Sequence, residues 1–156
     1  MAIEDKLKEL GITLPEAPKP LGSYVPCIQA GNLLFLSGML PLKEGKLIKT
    51  GHVTEKSGES VSIEEAQECA RQCVINALAV ANAYLEIDKI KRCVKLNGYV
   101  ASSQDFTEQP KVLNAASDLL FEVFGESGRH ARAAVGVSVL PLNSPIEIDF
   151  IFEVAS

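Results

Sequence analysis

One arginine and one glutamate near the C-terminus stand where a charge needs a reason. Arg132 lies in the run Ala131-Arg132-Ala133-Ala134-Val135-Gly136-Val137-Ser138-Val139-Leu140-Pro141, and Glu147 in Ser144-Pro145-Ile146-Glu147-Ile148-Asp149. Both runs have strand composition, and the Pro-Leu-Asn-Ser-Pro segment between them reads as the turn of a hairpin. With the turn centred near residue 143, Arg132 and Glu147 fall at opposite ends, ~23 Å apart at ~3.3 Å per residue. A site that uses both therefore calls for a neighbouring subunit to bring its turn end beside the Arg132 end. The alternative is that Arg132 marks a solvent-facing strand edge, where a charge deters edge-to-edge pairing. Arg129-His130-Arg132 is the only dense basic group, and a cluster this small suits a small anion.

The elements that must position these residues follow from periodicity and punctuation. Residues 3–14 have helical spacing in Ile3, Leu7 and Leu10, and Pro15, Pro18 and Pro20 then impose an extended lead-in, so residues 1–20 read as an N-terminal arm. Residues 24–29 and 33–37 form a hairpin around Ala30-Gly31-Asn32, with Pro26 marking the first strand as an edge. Residues 38–60 read as a long surface loop with a short strand near Lys46-Leu47. Ser62-Ile63-Glu64-Glu65 is a capping box that starts a long helix, along which Ile63, Ala66, Ala70, Cys73, Val74, Ala77, Ala81 and Tyr84 recur at helical spacing. Residues 93–102 alternate as a half-buried strand. A second helix begins near Pro110 and stops at Gly125, with Asn114 outside its apolar stripe and so exposed. The order β-β-α-β-α-β-β gives an α+β fold, a single mixed sheet with two helices on one face. The other face is left bare, and the apolar Phe150-Ile151-Phe152 run makes it an expected oligomer interface.

Composition narrows the class of function. At 156 residues the chain has the size of one domain, assigned to residues 21–156. Its net charge of −5 argues against a broad nucleic-acid surface. No apolar run reaches the ~20 residues that span a bilayer, and Met1-Ala2-Ile3-Glu4-Asp5-Lys6 lacks the order of a signal peptide, so a cytoplasmic protein without membrane contact is expected. Cys27, Cys69, Cys73 and Cys93 have neither zinc nor redox spacing and read as buried thiols; no metal site is expected. His52 and His130 are the only histidines, and neither has a partner at catalytic or ligand spacing.

At this point the residues carry a resemblance. Tyr24 ahead of the Ala-Gly-Asn hairpin, Leu36-Ser37-Gly38-Met39-Leu40-Pro41, Asn114-Ala115 in the second helix, the run from Arg132 to Pro141 and Ile146-Glu147-Ile148-Asp149 together resemble the RidA (YjgF-like) family, from about residue 20 onward. The resemblance implies a chorismate-mutase-like fold, a homotrimer with sites in the clefts between subunits, hydrolysis of enamine and imine intermediates to keto acids and ammonia, and no cofactor. Many members carry an older endoribonuclease label, which the acidic balance here does not support.

By position, Arg132 matches the arginine that holds the carboxylate of a small metabolite, a task for which its planar fork of donors suits a two-oxygen anion better than lysine. Glu147 matches the acid that orients or activates water. Tyr24, Ser37, Gly38 and Asn114 match residues around the cleft. Each has a plainer reading: Tyr24 as an edge-strand aromatic, Ser37 as a turn hydroxyl, Asn114 as an ordinary helix residue, Glu147 as a solvated strand carboxylate. One departure is Ala134, where many deaminating relatives have cysteine. Imine hydrolysis needs water and an acid/base partner rather than a thiol, so the alternative is a non-catalytic trimer that binds small carboxylates.

Overall fold

A computed structural model describes residues 2–20, 22–56, 58 and 60–156. Its elements run α1 (Ile3–Glu9), β1 (Cys27–Ala30), β2 (Leu33–Leu36), β3 (Leu42–Lys43), β4 (Lys46–Leu47), α2 (Ile63–Tyr84), β5 (Ile90–Ala101), α3 (Gln109–Phe124), β6 (Ala131–Val137) and β7 (Ile146–Val154). The α+β order expected from periodicity is present; α1 forms where Ile3 and Leu7 have helical spacing, and the strand expected near Lys46-Leu47 is β4, to which the structure adds its partner β3. Both halves of the capping box form: the Ser62 N–H donates to Glu65 Oε1 and the Glu65 N–H to Ser62 Oγ, each at 3.1 Å. Such a cap typically contributes ~1 kcal/mol. Helix α3 carries Pro110 in its first turn and ends at Gly125 in a left-handed conformation, φ 64°.

The main sheet has the order β1-β2-β7-β5-β6, and β3-β4 form a separate two-stranded sheet. Strands β1 and β2 pair antiparallel across Gly31, with β1 at the edge as Pro26 implies. Tyr24 falls outside the strand expected over residues 24–29, which begins only at Cys27, one residue past Pro26. Helices α2 and α3 cover one face, packing Ala70, Cys73, Val74, Ala77, Leu113, Ala116 and Leu120 onto Leu96, Val100, Ile146, Ile148, Phe150 and Phe152. Each fully buried large side chain in this layer contributes ~1.5–3 kcal/mol. All four cysteines are free and buried.

The C-terminal hairpin does not form. Strand β6 runs parallel to β5, and β7 runs antiparallel to β5 on its other side, so the central strand separates the two runs that the turn was expected to pair. The connection over residues 138–145 is longer than the ~2–5 residues of a tight hairpin, and it crosses over the end of β5. That leaves β5-α3-β6 as a βαβ unit, with β7 inserted between β2 and β5.

Residues 38–60 are less of a surface loop than their composition suggests. Met39 and Val53 are buried, as is Val61 just beyond; Val53 bridges Val61 and Ser102, and Met39 bridges Ile148. Ser57 and Glu59 of this segment lie outside the described residues, as do Met1 of the arm and Leu21. Helix α1 buries Leu7 in the core, and the Ile3 N–H donates to Asp88 Oδ1 at 2.6 Å. No described helix is long and apolar enough to cross a membrane.

Candidate functional site

The sheet register places Arg132 and Glu147. Leu96 of β5 faces Arg132 on one side and Phe150 on the other, and Tyr99 faces Val135 and Glu147. The two charged residues are thus two strands apart and three residues displaced, ~14 Å between Cα atoms rather than the ~23 Å of a hairpin. They also take opposite faces. Arg132 shares the register of buried Leu96 and reaches α3, whereas Glu147 alternates with the buried residues Ile146 and Ile148 and so points away from the helices. Within one chain they cannot converge.

The Arg132 side is built by α3 and the edge strand β6. Arg132 Nη1 donates to Asn114 Oδ1 at 2.9 Å and to Ser117 Oγ at 3.1 Å. Asn114 and Ser117 are three residues apart and therefore share a helix face. Helix α3 sits close because β5 has Gly98 beneath it: a Cβ there would lie 2.3 Å from Leu113 Cδ1. Among the described residues Arg132 takes part in no ion pair. Ser117 has no part in the site as read from sequence, and His130 enters it only as a member of the basic group with Arg129 and Arg132, yet Ser117 Oγ lies 2.9 Å from His130 Nε2, and His130 Nδ1 lies 2.6 Å from the Gly128 carbonyl oxygen. The signal for Ser117 was its spacing from Asn114. Burial pushes the His130 pKa down from its ordinary 6.5, with the Arg132 charge adding to the effect against the pull of the Gly128 carbonyl.

The Glu147 side gathers the remaining candidates. Ser37 Oγ donates to the Val25 carbonyl at 2.6 Å, and the Ser37 N–H donates to Pro26 O at 2.9 Å, so Ser37 fastens the segment bearing Tyr24 to the end of β2. Tyr24 is 54% exposed. Gly38 abuts the glutamate: a Cβ on it would lie 2.9 Å from Glu147 Cδ and 3.0 Å from Oε2. Helix α2 holds this segment in place. Asn76 Nδ2 donates to Leu40 O and Leu42 O at 3.0 and 2.9 Å, and Cys73 Sγ donates to Met39 O at 3.3 Å. Beside Glu147, Asp149 accepts from Asn97 Nδ2 at 2.9 Å and from the Tyr99 hydroxyl at 3.1 Å. Burial, and then the Asp149 charge, push the Glu147 pKa above the ordinary 4.5. A carboxyl moved in that direction is better matched to proton transfer near neutrality.

A small anion would find on one side a guanidinium that has no ion-pair partner among the described residues, and a water molecule would find a half-buried carboxyl on the other. The described residues contain no cluster of three or more metal-ligating side chains.

Comparison with known proteins agrees with this architecture. The profile of the family described as "YjgF/chorismate mutase-like, putative endoribonuclease" matches residues 4–154. The chain is 44% identical to protein TCP17 of Trypanosoma cruzi, over 94% of this chain and 91% of that protein. It is 31% identical to the 2-iminobutanoate/2-iminopropanoate deaminase of Dermatophagoides farinae, over 90% of this chain and 92% of that one. Among solved structures, Atu1372 of Agrobacterium tumefaciens, of unknown function, superposes with a TM-score of 0.87 at 48% identity, covering 98% of this chain and 92% of that one. This chain belongs to the YjgF/chorismate mutase-like family.

Proposed function

We propose that the protein hydrolyses small 2-imino and 2-enamino acids to 2-keto acids and ammonia, in clefts between the subunits of a homotrimer. The observation that carries this reading is the Arg132 guanidinium, oriented by two neutral partners and matched by no carboxylate among the described residues. It has donors to spare for the two oxygens of a substrate carboxylate. An enamine first takes a proton from water at its carbon and becomes the protonated imine. Glu147 then takes a proton from water as the oxygen adds to the imine carbon, giving a carbinolamine. It returns that proton to the nitrogen, so that ammonia leaves as the carbon-nitrogen bond breaks, and the remaining hydroxyl proton passes to water as the carbonyl forms. The products are a keto acid and ammonia, with no redox change. The similarity to a deaminase at 31% identity supports the same reaction class.

The trimer is supported by the opposed faces of Arg132 and Glu147 and by the distribution of exposed apolar side chains. Ile28, Leu33 and Phe35 line one margin of the bare sheet face, and Val135 lies at the other. Two different patches at opposite margins fit a head-to-tail ring better than a self-complementary dimer. In such a ring the β1-β2 margin of one subunit, with Tyr24, Ser37, Gly38 and Glu147, meets the β6 margin of the next, with Arg132 and Asn114. Residues 21–156 then form the catalytic domain and residues 1–20 an arm docked through α1. Four free thiols fit a cytoplasmic location.

A second reading, a trimer that binds small carboxylates without turnover, is favoured by Ala134, which stands on the Arg132 side of β6 and offers no thiol. The net charge of −5 leaves little support for RNA cleavage. The deciding experiment is ammonia release from freshly generated 2-iminopropanoate. The wild type should accelerate it over buffer and Arg132→Ala should not; no acceleration by the wild type would leave the binding reading in its place. Sedimentation should give a trimer, and a stable monomer at micromolar concentration would remove the composite cleft.

A further inference from the structure

The hydrogen bonds around Arg132 have a fixed direction. The Gly128 carbonyl oxygen can only accept, so the His130 nitrogen 2.6 Å from it, Nδ1, carries the ring proton. In the neutral imidazole Nε2 is then an acceptor, and the Ser117 hydroxyl donates to it at 2.9 Å. With its proton committed, Ser117 Oγ is an acceptor toward Arg132 Nη1 at 3.1 Å, and the second Nη1 hydrogen goes to Asn114 Oδ1 at 2.9 Å. Both hydrogens of Nη1 are thereby spent. Nε and Nη2, which together form the side edge of the guanidinium, have no protein acceptor among the described residues.

We propose that Ser117 and His130 are positioning residues for Arg132: the chain from the Gly128 carbonyl through His130 and Ser117 locks Nη1, so that the Nε/Nη2 edge is presented side-on to the substrate carboxylate. This deepens the hydrolase reading and rests on Arg132 holding that carboxylate. Neutral partners suit the task, because a carboxylate in place of Ser117 would compete with the substrate for the same cation. His130 is suited to end the chain because the Gly128 carbonyl sets its tautomer and burial pushes its pKa down, which favours the neutral ring. The charged and titratable groups around it are Arg132 on β6, Asp118 on α3 and Arg129 beside Gly128; Arg129 is itself paired with Glu126 at 3.0 Å.

Calorimetry with pyruvate, together with steady-state kinetics on 2-iminopropanoate, tests the inference. Ser117→Ala and His130→Leu should each weaken pyruvate about three- to tenfold and raise KM with kcat little changed, since a positioned donor is lost from binding rather than from proton transfer. Ser117→Thr keeps the hydroxyl and His130→Gln keeps an acceptor, and both should stay within about twofold of the wild type. Wild-type affinity in Ser117→Ala, or a Ser117→Thr variant as weak as Ser117→Ala, would overturn the inference. Arg132→Ala separates the two levels. If it abolishes pyruvate binding while the Ser117 and His130 variants bind normally, only the positioning role fails. If it binds pyruvate as the wild type does, the carboxylate reading fails as well.

Discussion

The two sides of the proposed site solve opposite electrostatic problems. Around Arg132 the fold keeps a charge intact: its partners Asn114 and Ser117 are neutral, and the nearby histidine is pushed toward its neutral form. Around Glu147 the fold makes a charge costly, through burial and through Asp149 on the same strand face. A group that must hold an anion gains from remaining fully charged, whereas one that must exchange a proton gains from a pKa moved toward neutrality. The supports differ too. The arginine is held by side chains of α3, whereas the glutamate lies against Gly38, part of a backbone segment that α2 anchors through Cys73 and Asn76.

If that contrast is functional, substitutions on the two sides should fail in different ways. Glu147→Gln keeps the shape and removes the base, so kcat for imine hydrolysis should fall ~10²-fold or more with pyruvate affinity nearly unchanged. Dissolution of the proposed trimer by this variant would instead make Glu147 an interface residue. Arg132→Lys keeps the charge but loses the planar fork; pyruvate affinity by calorimetry should drop about tenfold, with the charge-assisted bond it loses contributing ~1.5–3 kcal/mol. Unchanged affinity would make the arginine structural.

The glycines give a gentler version of the same contrast. Gly98→Ala drives a methyl into Leu113, the residue before Asn114, and should destabilise the fold by ~1–3 kcal/mol in urea titration as α3 lifts. Gly38→Ala presses on the Glu147 carboxyl and should lower kcat several-fold while leaving stability and pyruvate binding close to wild type. Equal effects of the two on binding would mean that the two sides are not separable.

The smallest effect is in the pH dependence of stability. Glu147 has a folded pKa above 4.5, so its contribution is present below 4.5 and is lost as pH rises through the raised value. His130 has a folded pKa below 6.5, so its contribution is present above 6.5 and is lost as pH falls through the lowered value. Glu147→Gln and His130→Gln should each flatten a different limb of Tm against pH, by about 1–3 °C.

Much of the fold was legible in the sequence because local chemistry writes it there. The Ser62 capping box, the Pro110 start and Gly125 stop of α3, and the Gly31 hairpin all depend on neighbours within a few residues. Strand partners do not: alternation marks β6 and β7 as strands, but nothing within either run says that β5 lies between them. The helical segment between the β5 and β6 patterns did carry that information, since a helix between two strands is the mark of a parallel crossover. Val53 and Val61 were hidden for a similar reason, being isolated apolar residues in a polar segment that reach the core only through long-range bridges. Among the candidate site residues, Arg132 and Glu147 stood out as charges in apolar strands. Ser117 did not, and His130 stood out only as part of the Arg129-His130-Arg132 basic group, because a serine on a helix and the hydrogen-bonding role of a histidine at a strand entrance become informative only when the two are brought together.

Each proposed site joins the Arg132 side of one subunit to the Glu147 side of the next. Joint refolding of inactive Arg132→Ala and Glu147→Gln subunits, with mixed trimers confirmed by native mass spectrometry, isolates that junction. Random assembly should restore about one quarter of wild-type imine hydrolysis, because an intact arginine meets an intact glutamate at about one interface in four. Mixed trimers as inactive as either parent would contradict it.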